Sequence, residues 1–193
     1  MKYCSLSFLL IFVACIARPI VKIADLAVHQ KQNKQIIKSV LSFAKSGDWL
    51  VTRGYHASDN LVSNTTAIPI SHAAIYDSST QTVIEAESNG VHKTALTEFV
   101  NKSYRLLIIR PRWLTNENAT KVISNAKKLI GESYDFLGTI GFNFPQKYYC
   151  SELALNVYKE WFNPKEKFST VIKPGELYLY GKILYDTLPR DEF

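Results

Sequence analysis

Two short strand-like runs, Ile70 to Tyr76 and Thr82 to Glu87, stand on either side of Asp77-Ser78-Ser79-Thr80-Gln81. A turn-forming segment between two such runs predicts a hairpin, and a hairpin commits the chain to an antiparallel sheet. A two-residue loop at Ser78-Ser79 and a four-residue loop closed by Tyr76 and Gln81 give the same register, which pairs His72 with Glu85. Directly opposed residues share a face with Cβ atoms about 4.5–5.5 Å apart, so these two side chains are expected to hydrogen bond. An odd loop length would send them to opposite faces.

A second stretch, Lys147-Tyr148-Tyr149-Cys150-Ser151-Glu152-Leu153-Ala154, places a lone downstream cysteine at the start of a predicted helix. Leu153, Val157 and Trp161 recur at four-residue spacing, which puts one apolar stripe against a core, and Pro164 ends the run. Sulfur in the first turn of a helix meets unpaired N–H groups and the positive end of the helix dipole, which favour its anionic, attacking form. The same N–H groups suit the oxyanion of a tetrahedral intermediate.

A thiol nucleophile needs a base, and the base needs an orienting group. Cys150, His72 and Glu85 supply these three roles. Taken singly, each has a plainer reading, as buried filler, a core histidine and an exposed strand residue. His29, His56 and His92 are the rival bases; His29 and His92 lie in polar surroundings, and His56 falls in a predicted loop. Glu87 shares the strand face of Glu85 and is the rival orienter, and the hairpin register favours Glu85.

The remaining elements follow from periodicity. Residues 19–35 read as a polar lead-in, and Ile36, Ile37, Val40, Leu41 and Ala44 trace a helical face that Gly47 ends. Trp49 to Arg53 reads as a strand and 54–67 as a polar loop. Leu96 to Val100 predicts a short helix and Tyr104 to Ile109 a buried strand. Thr115 or Asn116 caps a helix whose Ala119, Val122, Ile123, Ala126, Leu129 and Ile130 form its apolar face, closed by Gly131. An aromatic connector, 134–149, leads to the Cys150 helix, and Leu177 to Tyr180 reads as a final strand.

Met1-Lys2, the apolar run Leu6 to Ala14 and small residues near Ala14 and Ala17 form a targeting segment too short to span a bilayer. Cleavage after Ala17 gives a secreted protein, whereas Phe12-Val13-Ala14-Cys15 loosely matches a lipobox, with Cys15 the acylated residue and the membrane its attachment. Both readings place the mature protein in the cell envelope, the periplasm or outside the cell. Either leaves no pair of cysteines for an internal disulfide. The expected organisation is a signal segment over 1–17, a helical lead-in over 18–46 and one hydrolase domain over 47–193. The net charge of +6 is not gathered into a basic stripe with aromatics, so no nucleic-acid partner is expected. The histidines are dispersed and no ligand cluster stands at metal spacing, so no metal or cofactor is implied. Asn64-Thr65-Thr66, Asn101-Lys102-Ser103 and Asn118-Ala119-Thr120 fit the glycosylation sequon, as chance also explains.

Ser71-His72-Ala73-Ala74-Ile75-Tyr76, Val83-Ile84-Glu85-Ala86 and Tyr149-Cys150-Ser151-Glu152-Leu153, in that order, resemble the circularly permuted branch of the NlpC-type papain-like cysteine hydrolases, the YiiX-like family. Gly47-Asp48-Trp49-Leu50 resembles the strand that opens its domain, and Gly131-Glu132-Ser133-Tyr134-Asp135 the segment before its nucleophile helix, so the resemblance runs over roughly Gly47 to Tyr180. Ala74 stands where NlpC-type enzymes usually carry Gly. Tyr149 replaces their Asp, although Tyr-Cys-Ser is typical of the permuted branch. The resemblance implies an α+β papain-like fold, with Cys150 as nucleophile, His72 as general base and acid, and Glu85 as the polar third residue. Tyr149, Tyr134 and Ser71 are the candidate substrate contacts. An exported thiol hydrolase is expected, cleaving an amide or isopeptide bond in a cell-envelope peptide or related acyl-amide. The alternatives are a lipid-directed acyltransferase or thioesterase, and a binding module that keeps the fold without turnover.

Overall fold

The computed structural model describes residues 20–66 and 68–190, so the targeting segment and Cys15 lie outside the described residues. Helix α1, Leu26–Phe43, begins earlier than its apolar face suggests, because Asp25 accepts hydrogen bonds from the N–H groups of Ala27 and Val28 at 2.8 and 3.0 Å. This N-cap starts the helix inside the polar lead-in. The chain then forms β1 (Trp49–Gly54), α2 (Ala57–Thr66), β2 (His72–Asp77), β3 (Thr82–Glu87) and β4 (Gly90–Ala95). After these come α3 (Leu96–Asn101), β5 (Ser103–Pro111), α4 (Ala119–Lys128), two short strands β6 (Ser133–Tyr134) and β7 (Lys147–Tyr148), α5 (Cys150–Asn156) and β8 (Gly181–Asp186).

A six-stranded antiparallel sheet in the order β4-β3-β2-β1-β5-β8 divides the core in two. Successive side chains of a strand point to opposite faces. Trp49, Val51, Ala73, Ile75, Ile84 and Ala86 therefore join α4 and α5 in one cluster, through Val122, Ile123, Leu153 and Ala154. Leu50, Ala74, Tyr76, Val83, Leu106 and Ile108 join α1 and α3 in the other, through Ile36, Val40, Leu96 and Phe99. With both faces covered, β1 is buried at every position. Arg110 holds the fully buried Asp48 in a bidentate pair at 2.9 and 2.7 Å, which fixes the start of β1 against β5.

Several expectations change. The presumed loop at 54–67 contains α2, and β4 follows the hairpin unannounced. Residues 177–180 belong to a 3-10 helix, Pro174–Tyr180, rather than a strand, because Pro174 stands at its first position and sets the helical φ; the edge strand is β8, one step later. Helix α4 starts after Asn118, whose side chain makes no cap hydrogen bond to it; Thr115, one of the two expected caps, instead exchanges hydrogen bonds with Asn118 at 2.9 and 3.3 Å in the turn before the helix. Helix α5 is seven residues long, and Trp161 lies in a separate 3-10 turn.

Gly90 turns β3 into β4 at φ +99°, and a Cβ there would lie 2.5 Å from the carbonyl oxygen of Glu132. That carbonyl accepts the Val91 N–H at 2.8 Å, so it is not free to move. Gly90→Ala is expected to cost about 1–2 kcal/mol from the backbone conformation alone, with the contact adding to it. Urea unfolding checks this; an unchanged midpoint would show that the turn adopts another conformation.

Candidate active site

His72 opens β2, and its Nε2 lies 2.7 Å from Oε2 of Glu85 on β3. The register behind this contact differs from the expected one. Asp77 pairs with Thr82 across the four-residue turn and Ala74 pairs with Glu85, so His72 stands two residues from the position opposite Glu85. A shift of two leaves both residues on the same face, and the contact becomes diagonal, still within reach of long side chains.

Cys150 is the first residue of α5, is buried, and lies close enough to His72 to help hold its imidazole protonated. Since Nε2 of His72 is taken by Glu85, Nδ1 is left to serve the thiol. Burial pulls the His72 pKa down, but hydrogen bonds to Cys150 and Glu85, and their charges, outweigh it and hold the imidazole well above its ordinary 6.5. Burial pushes Glu85 up, and the hydrogen bond and charge of His72, with smaller contributions from Thr94 and His92, bring it below the usual carboxylate value. The His72 side chain is 16% exposed and that of Glu85 is 2% exposed, so the imidazole reaches solvent while the carboxylate does not.

These residues line a cavity of about 920 Å³. Its apolar wall includes Leu61, Phe99, Phe136 and Ile140, and Phe99 packs against the His72 ring at 6.2 Å. The three candidate contacts all lie on this cavity, with different attachments. The Tyr149 hydroxyl accepts the Ile172 N–H at 3.0 Å while Ser151 donates to the Ile172 carbonyl at 2.6 Å, so Tyr149 holds part of the wall in place. Ser71 donates to Asp59 Oδ1 at 2.6 Å and accepts the Gly54 N–H at 3.1 Å, which ties β2 to α2. A Cβ at Gly54 would lie 2.2 Å from Asp59, so glycine leaves room for this link. Burial, with the charge of Cys150 next in weight, pushes the Tyr134 hydroxyl upward, and it remains a proton donor beside the thiol. Burial, with the Asp135 charge adding to it against the Tyr149 N–H bond, pushes Glu152 up to about 7.

The rivals are placed elsewhere or given other partners. His29 is buried against Asn101 and Arg190, its ring nitrogens 3.1 Å from the Asn101 carbonyl and 2.9 Å from the guanidinium. His56 lines the cavity at the start of α2. His92, opposite Glu85 in the sheet, has Nε2 3.7 Å from Glu85 and 3.5 Å from Glu87. Sequence spacing showed no metal-type cluster, but the sheet makes one among the described residues: donor atoms of His72, Glu85 and Glu87 lie within 4.8 Å of one another. Strand β4, whose glycine and polar residues give no apolar alternation, carries His92 and Thr94 beside Glu85.

The fold is similar to that of the crystal structure of metalloprotein yiiX from Escherichia coli O157:H7, at a TM-score of 0.52 and 22% identity. That similarity covers 61% of this chain and 66% of yiiX, just under two thirds of the neighbour's length. No curated protein matches the chain. The sequence model of the permuted papain-like amidase enzymes, YaeF/YiiX, C92 family, matches residues 43–177, and the chain belongs to that family, the one its motifs resemble.

Proposed function

We propose that the protein is an exported thiol hydrolase that cleaves an amide or isopeptide bond through an acyl-enzyme on Cys150. The observation that carries this reading is the relay of Cys150, His72 and Glu85, with a 2.7 Å His72–Glu85 contact, on the wall of a large cavity. Membership of an amidase family supports the reaction class. The apolar run after Met1-Lys2 supports export, and with it a cell-envelope peptide as substrate.

Cys150 Sγ attacks the carbonyl carbon as its proton passes to His72, and a carbon–sulfur bond forms. The first-turn N–H groups of α5 would donate to the developing oxyanion. His72 then gives its proton to the leaving nitrogen, the carbon–nitrogen bond breaks, and the amine departs. A water attacks the thioester, its proton passing to His72; the carbon–sulfur bond breaks, the acid leaves and the thiol is restored. Glu85 stabilises the imidazolium and fixes the ring throughout. The family neighbour yiiX is described as a metalloprotein, and the carboxylate–imidazole cluster beside Glu85 fits a metal ion, which would supply positive charge to that carboxylate.

The cavity favours a second reading. Leu61, Phe136 and Ile140 at its wall are each more than 60% exposed, a lining suited to an acyl chain rather than a polar peptide. Purified protein lacking residues 1–17 should be offered a short peptide amide, an N-fatty-acyl amino acid and a fatty-acyl ester. Trapping of an acyl group on Cys150, read by intact mass, is expected with an amide. Acylation by the ester alone would replace the amidase reading with an acyltransferase or thioesterase. No acylation by any of the three in folded protein would leave the binding-module reading.

A further inference from the structure

Between β6 and β7 the chain leaves the body of the fold and returns to the same place. Ser133 pairs with Lys147 and Tyr134 with Tyr148, so 135–146 is a loop whose ends are held together. One buried carboxylate sets its shape: Asp135 accepts the Gly138 N–H at 2.8 Å and the Phe144 N–H at 2.9 Å. A Cβ at Gly138 would lie 2.6 Å from that carboxylate, so the close approach needs glycine. The backbone then reverses at Gly141, φ +98°, whose N–H bonds the Gly138 carbonyl at 3.0 Å.

Phe136, Leu137, Ile140, Phe142 and Phe144 are all exposed on this loop, the densest run of large exposed hydrophobic residues among the described residues. Apolar groups on a loose loop would collapse out of water; here the backbone is fixed and they stay in it, at a cost that docking would recover. Scattered exposed apolar residues are ordinary, whereas a contiguous group marks an interaction surface.

The charges around the loop say what it meets. From 136 to 149 the only charged residue is Lys147, whose ammonium lies 5.5 Å from the Phe144 ring. A Cβ at Gly141 would lie 3.7 Å from Thr170 and Val171, so the segment that carries exposed Lys165 and Lys167 runs beside the loop. Its one acid, Glu166, is bound to Arg112 and Trp113. Apolar tips with positive charge at their rim match a bilayer of anionic lipids, where the tips enter the acyl boundary and the lysines stay at the headgroups. A rim of one sign offers little by which to select a protein.

We propose that the 135–146 loop docks the protein on an anionic bilayer surface, independently of any attachment through residues 1–17. Phe136 and Ile140 also line the cavity that holds Cys150, so the docked cavity opens at the lipid surface. Delivery of an acyl-chain substrate from the bilayer rests on the acyl-chain reading of that cavity; docking does not.

The test is flotation with vesicles of equal parts phosphatidylcholine and phosphatidylglycerol, and with phosphatidylcholine alone, on protein lacking residues 1–17 so that the targeting segment cannot insert. Wild type and Cys150→Ser are expected to float with the anionic vesicles and far less with the neutral ones. Affinity should fall at least about tenfold in Phe142→Asp, which loses a buried aromatic ring, and about fivefold in Lys147→Glu, with circular dichroism establishing that both are folded. In Phe142→Trp, lipids brominated on their acyl chains should quench emission beyond the quenching seen in wild type. Folded protein that floats with neither vesicle would overturn the proposal. So would binding untouched by Phe142→Asp with no added quenching in Phe142→Trp, which would leave the basic surface alone as the contact. A dimer in sedimentation velocity that Phe142→Asp dissolves would overturn it by placing a second copy on the loop. The hydrolase reading fails separately, if no acyl group is trapped on Cys150 in protein that docks.

Discussion

His72→Ala is expected to lower kcat/KM on an amide substrate by about 10²–10⁴-fold, the usual worth of a positioned general acid–base. His72 is asked to act at both ends of the reaction, and it stands between Cys150 and Glu85. Alkylation of Cys150 at neutral pH should slow with it, because the group that accepts the thiol proton is gone. Glu85→Gln should have a smaller effect, since an amide can keep the 2.7 Å contact while losing the charge that supports the imidazolium. An alanine at 72 that left both rates unchanged in folded protein would remove His72 from the reaction.

The same pair sets an expectation for pH. The folded-state pKa of His72 is raised, so the stability it contributes is fully present below the unfolded value of about 6.5 and is lost as pH rises through the folded value. Glu85 is lowered, so its contribution is present above its unfolded value of about 4.3 and is lost as pH falls through the folded one. The charged pair therefore survives into mildly alkaline solution, and the two variants should flatten opposite limbs of a stability-against-pH profile.

The site was legible because its chemistry is local in sequence: a histidine and a glutamate on one hairpin, and a cysteine before an apolar helical stripe. The register arithmetic was off by two residues, yet the side-chain period of two restored the contact, which is why the pairing of His72 with Glu85 survives a wrong count. Helix α2 was not legible, because what holds it is tertiary. Asp59 reaches back to the N–H of His56 at 2.9 Å and out to Ser71 at 2.6 Å, so a polar segment with no apolar period is folded by contacts outside it. Strand β4 lies at a sheet edge where His92 is partly exposed and Lys93 exposed, and its pattern is too weak to stand without the strand it pairs with. The metal-type cluster was hidden for a related reason. Glu85 and Glu87 are close in sequence, but only the pairing of β2 with β3 brings His72 against them.

Trp49→Ala should be among the most damaging changes in the core, because this side chain connects the centre of the sheet to the nucleophile helix. It is fully buried between Trp113 and Tyr158, at ring distances of 6.4 and 5.8 Å, and its Nε1 donates to the Ala154 carbonyl of α5 at 3.0 Å. Carbonyls in the last turn of a helix lack intrahelical partners. Here the Tyr158 N–H, four residues on, is taken by Leu155 at 2.9 Å, so the indole supplies what the helix does not. Truncating a buried Trp costs about 3–5 kcal/mol, which lowers Tm by roughly 6–20 °C for a domain of this size. Trp49→Phe separates the two contributions: it keeps most of the packing and leaves the Ala154 carbonyl unpaired, at about 1–3 kcal/mol. Because that carbonyl belongs to the short helix that starts at Cys150, the phenylalanine variant should also alkylate more slowly at a temperature where it remains folded. A thermal melt that is unchanged in Trp49→Phe would mean that the hydrogen bond does not hold α5 to the sheet, and that Leu153 and Ala154 position the nucleophile by packing alone.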